Sequence, residues 1–169
     1  MTTRFRTFST LTALALTLAV SSAWAEDAMQ RAERLLQQKS YKQAAAEFER
    51  ASELAGGSCP ECLLGVARAY SGAGQQDAAI QVTRMALSLL SAPGAKARAY
   101  DQLGSFLTLK GDMEAARAAF QKAVEIDGRM ESQVRSSMAD ALLKRASTAE
   151  AAAAPAAEET FATARPDLQ

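Results

Sequence analysis

Residues 97–130 read ARAYDQLGSFLTLKGDMEAARAAFQKAVEIDGRM, and the spacing inside this stretch decides the fold. Tyr100, Leu103 and Leu107 recur at intervals of three and four, so they share one face of a helix. Ala116, Phe120, Ala123 and Val124 do the same on a second helix. Gly104 and Ala116 are small where two helix backbones must come close. Between the helices, Gly111 supplies a tight turn, and Asp112 is placed to cap the second helix. The stretch predicts two helices folded back on each other, with a closing turn at Asp127-Gly128.

The same grid repeats upstream at about 34 residues, the period of a helix-turn-helix array. A copy starting near Pro60 places Leu63, Val66, Ala67, Tyr70, Gly74, Ala79, Thr83 and Ala86. A more degenerate copy places Ala32 and Leu35 on a first helix, then Tyr41, Ala44, Phe48 and Ala51 on a second. The third copy, an aromatic-x-x-Leu-Gly-x-x-large helix followed by Ala-x-x-x-Phe-x-x-Ala, resembles the tetratricopeptide repeat (TPR) family. That resemblance implies an all-α fold, a right-handed superhelical stack of about three helical hairpins at 26–58, 60–93 and 97–130. Two positions depart from the family pattern. Thr83 stands where a large apolar residue is usual, so the second hairpin is expected to pack loosely there or turn a polar side outward. Arg31 replaces an apolar residue, which suits an end repeat whose outer face meets water. Pro93-Gly94-Ala95 reads as a lengthened turn between the second and third copies.

A repeat stack needs a lid. Residues 129–148 supply one, an amphipathic helix with Val134, Met138, Ala141 and Leu142 as its apolar stripe. From 149 to 169 the chain turns to Ala, Pro and Glu, and is expected to be a flexible tail, with the alanine run at 149–154 able to extend the helix as far as Pro155. No stretch alternates β-branched and polar residues in the manner of a strand.

The N-terminus has the three parts of a secretory signal. Arg4 and Arg6 precede an apolar run from Leu11 to Val20, too short for a permanent span, and Ser21-Ser22-Ala23-Trp24-Ala25 ends it with small residues at Ala23 and Ala25. Residues 1–25 are therefore expected to be a signal peptide cut after Ala25, which places the mature chain in the periplasm or outside the cell. No Cys lies near the cut to accept a lipid. The full chain of 169 residues has 19 basic and 19 acidic residues, and loss of Arg4 and Arg6 leaves a net charge near −2. Nothing is basic enough to attract nucleic acid by counterion release.

Histidine is absent, which removes Ser-His-Asp and Cys-His catalysis and most transition-metal sites. The reading is of a chain that is not an enzyme and needs no metal or cofactor. Cys59 and Cys62 form one Cys-x-x-Cys pair, whose default state in an oxidising compartment is a disulfide clamping the turn between the first two copies. The alternative is a redox role, since a helix start lowers a thiol pKa. Against it, no strand-like sequence flanks the pair to build a thioredoxin scaffold, and Leu63 excludes a c-type haem site.

The TPR resemblance implies a role in holding another polypeptide, on the wall formed by the first helix of each hairpin. Carried over position by position, that wall is Met29, Glu33 and Leu36 from the first copy, Leu64 and Arg68 from the second, and Arg98, Asp101 and Ser105 from the third. Arg135 on the capping helix stands beside them. Arg68, Arg98 and Arg135 could together hold an acidic group or a C-terminal carboxylate. The plainer reading is of solvated charges, with Asp101 neutralising Arg98. Self-association through an end repeat is a further option, and the sequence does not name the partner.

Overall fold

The computed structural model describes the backbone of residues 24–163 and the side chains of residues 24–151. Most of the expected signal segment lies outside the described residues. Every described element is helical, and no strand occurs among them. The chain divides into two compact units at Ala92/Pro93.

The first unit holds α1 (residues 24–37), α2 (Tyr41–Leu54), α3 (Pro60–Gly72) and α4 (Gln76–Leu89). Its core is built from small residues on one helix meeting larger ones on the next. Ala32 of α1, Phe48 of α2 and Val66 of α3 form one cluster, with Leu36, Tyr70 and Val82 against it. Phe48 has no exposed surface, so its burial contributes about 1.5–3 kcal/mol. The ring lies over Gly65, where a Cβ would stand 2.5 Å from it. The Tyr41 ring covers Gly72 in the same way. Glycine at these two places lets α2 and α3 approach.

Each hairpin turn has one pattern. At the end of α3 the Gly74 amide donates to Ser71 O and the Gln75 amide to Tyr70 O, with Gly74 at φ 79°. This paired bonding satisfies the last carbonyls of the helix and requires a left-handed residue. Gly111 fills that place in the second unit, with φ 97°. At the end of α1 the same bonds run from Lys39 to Leu36 O and from Ser40 to Leu35 O, but the left-handed residue is Lys39, at φ 59°.

Thr83 neither loosens its hairpin nor turns outward. Its side chain is fully buried, and Oγ1 donates to the Ala79 carbonyl at 2.7 Å. A hydroxyl bonded within its own helix leaves an apolar methyl to face the core, so the position stays packed.

The second unit holds α5 (Pro93–Lys110), α6 (Met113–Ile126), a 3-10 turn (Gly128–Met130) and α7 (Glu131–Thr163). Pro93-Gly94-Ala95 is not a lengthened turn. Pro93 opens α5, as its fixed φ and missing N–H suit a first helical position. Asp112 caps α6 by accepting from the Ala115 amide at 3.2 Å. Phe120 lies over Gly104, where a Cβ would stand 2.7 Å from the ring, so the α5–α6 pair is closed by the residues that the 97–130 spacing singles out.

α7 seats on α5 through buried Val134 and Ala141 and half-buried Met138. Leu142, expected in that stripe, is exposed, and so is every described side chain from 142 to 151. The helix also runs on through Pro155 to Thr163, where a tail was expected from 149. Alanine has the strongest helix propensity of any residue, and this run of it carries the backbone past the proline.

Candidate functional site

In the first unit the sequence-predicted wall residues come together. Met29, Glu33 and Leu36 stand at i, i+4 and i+7 on α1, and Leu64 and Arg68 one turn apart on α3. Glu33 and Arg68 tie the two helices with a two-pronged ion pair. Arg68 Nη1 donates to Glu33 Oε2 at 3.2 Å and Nη2 to Oε1. The guanidinium also lies 5.7 Å above the centroid of the Phe48 ring, so its position is set from below by the core and from the side by α1. Both side chains of the pair remain about 40% exposed, at 39% for Arg68 and 43% for Glu33. A pair this open adds little stability of its own. Its consequence is local: the charges cancel in the middle of a half-buried apolar surface.

That surface is supplied by Met29, Leu36 and Leu64, each half-buried. Met29 packs against the cluster of Ala28, Ala51 and Cys62. Leu36 packs against both the Phe48 cluster and the cluster of Ala44, Ala45 and Ala69. Met29 and Leu36 therefore each have a fixed root in the core and a free outer edge. Arg31, on the neighbouring stripe of α1, pairs with Asp27 and, at 3.1 Å, with Glu47 of α2.

The four candidates in the second unit do not form a comparable surface. Asp101 is not an open wall residue and does not neutralise Arg98. It is 6% exposed, and its Oδ2 accepts from Ser137 Oγ of α7 at 3.0 Å. The reason is the lid: α7 packs on α5 over this turn, and the short Asp side chain cannot reach past it. Burial raises the Asp101 pKa above the ordinary carboxylate value, against the opposing hydrogen bonds from Ser137 and Gln133. Ser105 is half-buried and donates to the main-chain carbonyl of Asp101 at 3.2 Å. Arg135 is exposed and paired with Glu131 at 2.8 Å. Arg98 is exposed, with no ion pair among the described residues.

For a carboxylate guest this arrangement is poor. Two of the three arginines that sequence suggests for it, Arg68 and Arg135, already hold glutamates.

Cys59 and Cys62 are joined in a disulfide across the first turn of α3. Cys59 is the N-cap residue, and its Sγ accepts from the Cys62 amide at 3.1 Å. Cys62 is fully buried beside Ala28 of α1 and Ala51 of α2, while Cys59 is half-buried. The bond thus staples the first turn of α3, and Met29 packs against the cluster that holds it. No group of three or more His, Cys, Asp or Glu side chains placed to hold a metal ion occurs among the described residues. None of the described helices is long and apolar enough to cross a membrane.

Sequence reasoning missed three residues that position this surface. Gly65 and Gly72 lie off the positions that the three copies share, and only the ring each one meets reveals its use. Phe48 was legible as core, but not as the platform under Arg68.

Residues 97–129 match the family model described as tetratricopeptide repeat. Among solved structures, the chain is similar to the Sgt2 TPR domain from Aspergillus fumigatus, with 21% identity, a TM-score of 0.59 and 86% of each chain covered. It is similar to the first TPR of Spaghetti (RPAP3) bound to the HSP90 peptide SRMEEVD, with 16% identity and a TM-score of 0.59 over 76% of this chain and 95% of that one. It is also similar to the Yersinia enterocolitica type III secretion chaperone SycD in complex with a peptide of the translocator YopD. There the identity is 20% and the TM-score 0.57, over 71% of this chain and 93% of the other. A comparison with curated proteins finds no match.

Proposed function

From the premise that this chain carries a tetratricopeptide repeat at 97–129 and has the fold of TPR domains, we propose that it is a non-catalytic scaffold that binds a segment of a partner polypeptide on the α1–α3 face. The observation that carries the reading is the Glu33–Arg68 pair. It joins two first helices side by side and leaves Met29, Leu36 and Leu64 as an apolar rim around a neutralised centre. Such a surface suits the apolar side of a peptide or short helix, since burying it leaves no charge unpaired. The fold neighbours Spaghetti and SycD each hold a peptide, which supports this use of the scaffold.

The compartment we propose is the periplasm or cell envelope, on the strength of Arg4, Arg6, the Leu11–Val20 run and the small residues at Ala23 and Ala25. Cleavage after Ala25 would remove only the first two described residues of α1. The disulfide fits the same compartment. In this reading it is a structural staple for the first turn of α3, because Cys62 is sealed in the core.

The test is equilibrium binding with linear peptides selected by display against the full chain. Changing Leu64→Glu puts an unpaired charge in the rim and is expected to weaken binding at least tenfold with helicity unchanged. Selected peptides that bind Leu64→Glu as well as the parent would overturn the assignment of the face.

A further inference from the structure

Asp101 is a carboxylate in the wrong solvent. It lies on α5 beneath α7, 6% exposed, with Oδ2 hydrogen-bonded to Ser137 and Oδ1 buried without any partner. Ser137 is the α7 group hydrogen-bonded to it, and the neutral Gln133 amide adds only a weaker electrostatic contribution. The charged residues of the packed helices are turned elsewhere. Arg98 of α5 is exposed, Glu114, Arg117, Lys122 and Glu125 of α6 are exposed, and on α7 Glu131 and Arg135 hold each other while Asp140, Lys144 and Arg145 are exposed. None of them enters into the electrostatics of Asp101. An ionised carboxylate in that setting costs more than its hydrogen bonds return, and it recovers hydration only if α7 lifts.

The seat of α7 is also narrow. Val134, Ala141 and Met138 hold it beside Asp101; from residue 142 to 151 its described side chains are all exposed, with Arg145 reaching Met113 of α6 at 3.7 Å. A few contacts of this size are comparable with the cost of one poorly solvated charge. We propose that Asp101 is an acid-sensitive latch: α7 docks on α5 with the Asp101 side chain as the neutral acid, and ionisation of that group loosens α7.

The sign comes from linkage. The docked form has the raised pKa, and the open form, with Asp101 in water, has the ordinary value of 3.8. Protons therefore favour docking. The advantage is complete below 3.8, and it is lost as pH rises from there through the raised value of the docked form. Within that window the opening equilibrium of α7 changes by up to about tenfold per pH unit.

The experiment is hydrogen exchange of the α7 amides over residues 131–145 in the full chain between pH 4 and 8, corrected for intrinsic exchange. It is run on the parent and on Asp101→Asn, alongside a ¹³C NMR titration of the Asp101 carboxyl in the parent. Expected are protection of α7 that weakens as pH rises in the parent, protection in Asp101→Asn that is independent of pH and higher than the parent's near neutrality, and a carboxyl that titrates above the ordinary value of 3.8. A carboxyl titrating at or below 3.8 overturns the latch whatever the variant does, as does an unchanged pH profile in Asp101→Asn.

Discussion

At the scale of single residues, the molecule carries a cost at the first hairpin turn. Gly74 and Gly111 occupy the left-handed position that closes α3 and α5, whereas Lys39 holds it at the end of α1 with φ 59°. A side chain in this conformation costs roughly 1–2 kcal/mol, part of which glycine returns as unfolded-chain entropy. Lys39→Gly is therefore expected to stabilise the chain by up to about 1 kcal/mol in urea unfolding, with the m-value unchanged. A loss of stability would mean that the Lys39 side chain makes a contact worth more than the strain. The three turns share one bonding pattern, yet Lys39 does not announce itself as a turn residue, and for that reason the sequence reading passes over it.

At the scale of helices, packing rests on rings laid over glycines. Gly104 under Phe120 closes α5 on α6, and Gly65 under Phe48 closes α2 on α3. Adding one methyl at Gly104 would drive a Cβ to 2.7 Å from a ring that is itself buried. Gly104→Ala should cost about 1–3 kcal/mol despite its better helix propensity, read as a lower denaturant midpoint. An exposed glycine in a helix would show the opposite sign, so the direction alone tests the packing. Gly104 was legible because it repeats on the grid with Leu103 and Phe120. Gly65 was not, since its partner lies in the previous copy and the relation crosses a turn. Helix ends were harder still. The start of α5 at Pro93 and the course of α7 through Pro155 depend on local backbone energetics that a repeat grid does not encode.

At the scale of the whole molecule, the helical hairpins were readable because small and aromatic positions recur with one period, and that recurrence is a packing requirement. The proposed binding surface was readable only in part. Met29, Glu33, Leu36, Leu64 and Arg68 gather on one face of the first unit, while Asp101 drops under α7 and Arg135 turns to Glu131. Side-chain pairing decided the difference, and pairing between helices cannot be seen in one strand of sequence. It also changes the expected guest. With Arg68 already matched by Glu33, the guest we propose is an apolar partner segment in place of a carboxylate. The most direct measurement is photo-crosslinking in the producing cell, with a photoreactive residue at Leu64 and, as a control on the second helix of the neighbouring hairpin, at exposed Ala46. A discrete crosslinked partner polypeptide from Leu64 and none from Ala46 is the predicted result. Equal crosslinking from both positions, or none from Leu64, would contradict the account.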